Sequence, residues 1–125
     1  MPLATQQVYW FAPTGAAPAK ARRMVRESAR LQLSAESVHT AELLVSELVT
    51  NAITHGSGQV VVTVDSDEAG VLITVGDSSS EAPLLQPEQP LALGGRGLRM
   101  IETLAAEWGI TPRPEGGKDV WFRLP

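Results

Sequence analysis

Val38–His55 reads VHTAELLVSELVTNAITH. Leu44, Leu48 and Ala52 recur at helical spacing, so the stretch predicts an amphipathic helix with that stripe turned towards a core. Glu47, Asn51 and His55 also follow one another at four-residue steps and stack along the neighbouring face. A carboxylate, an amide and an imidazole thus lie at the border of a buried stripe. Such groups are either satisfied structurally or do chemistry, and the surrounding elements have to decide which.

Towards the N-terminus, Ser34 is the expected N-cap of this helix, with Ser37 beside Glu36 as the alternative start. Ala19–Leu33 predicts a helix before it, with Ala21, Met24, Val25, Ser28 and Ala29 on a small apolar face. Arg22, Arg26 and Arg30 stack on another face of that helix. Ala12–Pro18, with two prolines and a glycine, reads as a loop, and Gln7–Phe11 (QVYWF) as an edge strand.

Towards the C-terminus, Gly56 is expected as the C′ residue of the central helix. The β-branched runs Gln59–Asp65 and Val71–Val75, joined by Ser66–Gly70, predict a hairpin with a longer loop. Glu81–Gly95 carries Pro83, Pro87 and Pro90 without periodicity and reads as a mobile loop. Leu98–Trp108 predicts a helix with Leu98, Ile101, Ala105 and Trp108 on its apolar face, ended by Gly109. Ile110–Arg113 and Val120–Leu124 predict a final strand pair around Pro114–Lys118. The order β-α-α-β-β-loop-α-β-β does not alternate helices with strands. It therefore predicts an α+β two-layer sandwich, a mixed, mostly antiparallel sheet with about three helices on one face, rather than a doubly wound fold.

The 125 residues fit one domain, 1–125, able to bury a sizeable core. A hydrophobic content of 43% with 19% charged residues is that of a soluble globular chain. The absence of cysteine excludes disulfides, thiol catalysis and thiolate metal sites. No apolar run approaches the roughly 20 residues that span a bilayer, and MPLATQQVYWF has neither the basic nor the apolar region of a signal peptide. A cytoplasmic location is expected, with no membrane partner. The net charge of -4 argues against a general nucleic-acid binder. Lys20, Arg22, Arg23, Arg26 and Arg30 nonetheless gather half of the ten basic residues on one helix. That stripe is either a solvated face or a receiver for an acidic protein surface. Trp10, Trp108 and Trp121 are expected in core or dimer packing.

Three elements carry candidate chemistry. Glu47 and Asn51 supply a carboxylate and an amide oxygen one turn apart, an arrangement suited to orienting a hydroxyl and to a Mg2+ ion that takes most of its ligands from water and phosphates. On their own the two are equally a solvated helix pair. Asp77 ends an apolar strand, and the small Ser78, Ser79 and Ser80 after it leave room for a flat base. The bland alternative is a Gly-Asp-Ser turn. Gly94-Gly95-Arg96-Gly97-Leu98 opens a helix, where glycines admit phosphates to free N–H groups and Arg96 adds a cation. Here the alternative is a flexible hinge. Neither a Gly-Lys-Ser/Thr phosphate loop nor a Rossmann fingerprint is present.

Taken together, these motifs resemble the GHKL ATPases, of gyrase, heat-shock chaperone, histidine kinase and MutL type. Glu47-Leu48-x-x-Asn51-Ala52-x-x-His55 is similar to their N box, Asp77-x-Ser79 to the adenine-binding G1 box, and Gly95-Arg96-Gly97-Leu98 to the G2 box. The short chain most resembles the stand-alone anti-sigma factor serine kinases. The resemblance implies Mg-ATP as cofactor, with Asn51 as the Mg2+ ligand, Glu47 as the general base, Asp77 and Ser79 at the adenine, and Gly95, Arg96, Gly97 and Leu98 at the phosphates. It implies a lid between the last two boxes. It also implies serine kinase activity towards an anti-anti-sigma partner, inhibition of a sigma factor, and a dimer. His55 matches the pattern, and its expected role is structural, as a helix-dipole partner or packed residue.

Two departures mark the chain. Ser79 stands where the wider superfamily has glycine, which predicts weakened rather than lost nucleotide binding. Gly117-Lys118 replaces a late Gly-Thr, and Lys118 is either a phosphate contact or a solvated hairpin residue. Besides the kinase, a nucleotide-gated binding module without phosphotransfer and an ATP-independent partner-binding protein on a degenerate scaffold stay open. DNA binding, resting on the arginine cluster alone, is the weakest reading.

Overall fold

The computed structural model of the protein describes residues 5–56, 58–77, 95–114 and 116–125, with 95–99 described by backbone alone. The elements are β1 (Thr5–Phe11), α1 (Ala17–Ala29), α2 (Ala35–His55), β2 (Val60–Asp67), β3 (Gly70–Asp77), α3 (Gly95–Leu104), β4 (Glu107–Pro112) and β5 (Lys118–Leu124). The strands form one sheet in the order β1-β2-β3-β5-β4, and every neighbouring pair is antiparallel. All three helices contribute to a single core against it, as the α+β reading expects.

Strand alternation builds the layer interface. Val60, Val62 and Val64 of β2, Val71, Ile73 and Val75 of β3, and Phe122 and Leu124 of β5 are buried, while the residues between them are only half-covered. The stripe of α2 meets this face, with Leu44 at 0%, Leu48 at 3% and Ala52 at 7% exposure. Ala21, Met24, Val25 and Ala29 of α1 close the layer. Small residues there let the two helices approach closely, and α2 lies across β2, β3 and β5.

Ser34 is the N-cap of α2, its side chain accepting from the Ser37 N–H at 3.1 Å, so Ser37 does not start the helix. Such a cap is worth about 1 kcal/mol. α1 begins and ends earlier than its apolar pattern predicts. Pro18 belongs to its first turn, where its missing N–H has no helical partner to lose. Past Ala29 the Gln32 and Leu33 N–H groups both turn back to the Ala29 carbonyl, which tucks Leu33 into the core. The arginine stripe is not simply solvated. Arg22 donates to Ser46 Oγ at 2.7 Å and Arg26 to Glu42 at 2.8 Å, tying α1 to α2, while Arg30 is exposed. The hydrogen bond to Glu42, reinforced by its charge, raises the Arg26 pKa above its ordinary value.

The predicted hairpin loop contracts. Ser66 and Asp67 extend β2, Ser66 is buried, and the Asp67 carboxylate accepts from the Ala69 N–H at 2.8 Å across a short turn. The predicted third helix shifts further. It runs from Gly95 to Leu104, and Trp108 and Gly109 pair with Phe122 and Trp121 in the sheet. Gly109 is therefore not a helix stop. A Cβ there would lie 2.7 Å from the Trp121 ring, so glycine makes room for that indole. Trp108 packs on the edge of the core, whereas Trp10 is 65% exposed and takes no part in it.

Candidate functional site

α2 carries the site because its polar stripe borders its buried one. Glu47 and Asn51 are half-buried and His55, in the last turn, is exposed, in keeping with a helix-dipole role. Asn51, Leu48 and Ala52 form one wall of a cavity of about 20 Å³. Val75 and Asp77 of β3, Ile110 of β4, and Lys118 and Val120 of β5 form the others. The helix thus meets the sheet where the inward-facing alternation of β3 ends on a carboxylate. Asp77 is a strand residue and not a turn, and only 3% of it is exposed.

Asp77 is held from several sides. Lys118, its direct partner across β3 and β5, donates from Nζ to Oδ2 at 2.8 Å. Arg113 donates to the Asp77 carbonyl, and its guanidinium also lies 3.6 Å from Asp119. Gly117, with φ at +94°, brings the turn's backbone against that same carbonyl, where a side chain has no room. At the other side Gly56 caps α2 in extended conformation, φ -100°, its N–H bonded to the Ala52 carbonyl at 2.9 Å. It is the C-cap and not the left-handed C′ residue that the sequence suggests. Its backbone is open to any residue, but a Cβ at 56 would sit 2.7 Å from Asp77 Cγ and 2.9 Å from Oδ2. Gly56→Ala is therefore expected to lower stability by about 1–3 kcal/mol through overpacking at the carboxylate. Thermal unfolding reads this, and a wild-type melting temperature would show that the helix end yields freely.

Lys118 is neither solvated nor on a hairpin tip: it is 7% exposed and opens β5. Gly95, Arg96 and Gly97 form the first turn of α3 rather than a loop before it, so their backbone N–H groups are the ones a helix leaves unpaired. α3 rests on α2 and β4. The side chains of Arg96 and Leu98, Ser79 with its neighbouring serines, Gly94 and the predicted lid lie outside the described residues. Among the described residues no group of three or more His, Asp or Glu is poised to hold a metal. Asn51 on the cavity wall offers one hard oxygen of the kind Mg2+ takes, an ion that draws most of its remaining ligands from phosphates and water. No described helix is long and apolar enough to cross a membrane.

The family model of the histidine kinase-like ATPase domain matches residues 11–124. The chain belongs to that family. None of the curated proteins compared with this ATPase domain matches it. Among solved structures, it is similar to the crystal structure of the RsbU and RsbW domains of Rv1364c from Mycobacterium tuberculosis, with a TM-score of 0.71 and 22% identity. The match covers 94% of this ATPase domain and 31% of the Mycobacterium chain, and at that identity it establishes a shared fold.

Several contributors to the site were missed from sequence. Val75, Ile110 and Val120 read as ordinary strand residues, and Arg113 and Gly56 as element ends. No local signal marked them, because only the β3–β5 register brings the turn at Gly116 and Gly117 against Asp77.

Proposed function

We propose that this ATPase domain binds Mg-ATP between α2, the end of β3 and the first turn of α3, and acts as a cytoplasmic serine kinase and anti-sigma factor. Its substrate is a serine on a small anti-anti-sigma protein. The observation that carries the reading is the convergence of Asn51 and Asp77 on one cavity, with Glu47 a turn away on the same helix. Asp77 accepts from the adenine amine, beside Ser79. The first turn of α3, with Arg96 and Leu98, holds the phosphates through unpaired N–H groups and the helix dipole. Asn51 ligates Mg2+, which when bound neutralises charge on the phosphates. Glu47 accepts the proton of the attacking serine hydroxyl. Family membership supports the nucleotide, and the fold shared with a structure containing an RsbW domain is consistent with an anti-anti-sigma partner. A homodimer is part of the same proposal.

Isothermal titration tests the binding half: Mg-ATP is expected to bind the wild type, and Asp77→Asn to weaken it. Phosphate transfer from labelled ATP to a protein co-purified from the native host tests the rest. A second reading, a nucleotide-gated or ATP-independent protein binder, draws on the Lys118 ammonium already paired with Asp77. Binding without transfer to any co-purified protein would favour the gated module, and no heat with Mg-ATP the ATP-independent one.

A further inference from the structure

We propose that Lys118 is a built-in occupant of the base-recognition position: its ammonium holds the Asp77 oxygen that a nucleotide's exocyclic amine has to take, so nucleotide binds by displacing it. The inference rests on the nucleotide-binding reading above and goes beyond it by naming an internal competitor.

The geometry is that of a plug. Asp77 and Lys118 face each other directly across β3 and β5, both turned inward, 2.8 Å apart. Their side chains are 3% and 9% exposed. Between the described walls around them about 20 Å³ is left free, room for about one water molecule. A purine ring does not fit while the lysine chain lies there. The apolar walls of Leu48, Ala52, Val75, Ile110 and Val120 suit the faces of a ring, so the space is shaped for a base but taken by a side chain.

One half of the pair is fixed and the other is free to leave. Asp77 is held by Arg113 on its carbonyl, and its carboxylate lies so close to Gly56 that a Cβ there would meet it. Lys118 is a flexible four-carbon chain on the first residue of β5, next to the turn with positive φ at Gly116 and Gly117. Its ammonium regains full hydration when it swings out. The exchange is unequal, because an ion pair in the resting state is replaced by a hydrogen bond from a neutral amine to the same carboxylate, which lacks the attraction between two full charges. Lys118 therefore lowers affinity for the nucleotide and makes occupancy of the site sensitive to whatever holds the lysine outside.

Isothermal titration with Mg-ATP on the wild type, Lys118→Thr and Lys118→Met tests this. Both variants are expected to bind at least about tenfold more tightly, since no cation has to be displaced from the carboxylate. Unchanged or weaker binding in variants of a protein that does bind Mg-ATP overturns the proposal and leaves the nucleotide reading standing. If neither the wild type nor any variant binds, both fall. The wild type provides a second readout that needs no variant to fold, because Lys20 and Lys118 are its two lysines. In reductive methylation followed by peptide mass spectrometry, buried Lys118 is expected to react many-fold more slowly than exposed Lys20. Saturating Mg-ATP is expected to raise the Lys118 rate alone. Equal rates without nucleotide, or an unchanged or lower Lys118 rate with it, overturn the proposal.

Discussion

Glu47→Gln is expected to bind Mg-ATP like the wild type and to transfer phosphate about 10²–10⁴-fold more slowly. The amide keeps the size and helical setting of the carboxylate but cannot accept the proton of an attacking hydroxyl. Glu47 is half-buried, one turn before Asn51, where it can face a substrate without joining the base pocket lined by Asp77. Asn51→Ala makes the contrast. It is expected to lower Mg2+-dependent nucleotide affinity together with transfer, because it removes a ligand and not a base. Phosphoprotein mass spectrometry of the partner measures the transfer, and titration calorimetry the binding. A Glu47→Gln protein that transfers at the wild-type rate would assign the proton to another group.

Phe122→Ala is expected to cost about 3–5 kcal/mol, a large share of the 5–15 kcal/mol that holds a typical domain together. Among the described residues Phe122 is the largest fully buried side chain, at 0% exposure. It stands in β5 between its register partners Ile73 of β3 and Trp108 of β4, so the cavity left behind lies in the middle of the sheet's packed face. Urea unfolding followed by tryptophan fluorescence measures the loss. A shift below about 1 kcal/mol would mean that the neighbouring strands and α2 collapse onto the gap.

The two substitutions probe parts of the molecule that differ in how openly the sequence announces them. The stripe of Leu44, Leu48 and Ala52 is periodic over a long helix, and Glu47 and Asn51 follow its phase, so a buried face and a polar border were both readable. β2 and β3 announced themselves through runs of β-branched residues. The misplacements arose where local pattern and long-range pairing disagreed. Ile101, Ala105 and Trp108 fit a helical face, yet Glu107–Pro112 is drawn into β4 by pairing with β5. Gly109, a helix stop by local rules, is instead the gap that the Trp121 ring needs. Ser66 looked like loop because it is polar, and it is strand because inward alternation and pairing with Val71 carry it along.

From the chain alone came the antiparallel α+β layers, the helix that carries Glu47 and Asn51, and the strand-end position of Asp77. Each rests on periodicity over a short stretch, which is local and therefore written in the order of residues. Tertiary structure alone decided what Asp77 touches. Lys118 lies 41 residues away in the chain, and no spacing rule links the two. The register of β5 on β3 makes them direct neighbours, and the inward turn of both side chains brings the ammonium to 2.8 Å from that carboxylate. A lysine that by composition belongs in solvent is thereby buried in the wall of the candidate site, because a buried carboxylate is costly without a cation or donor beside it.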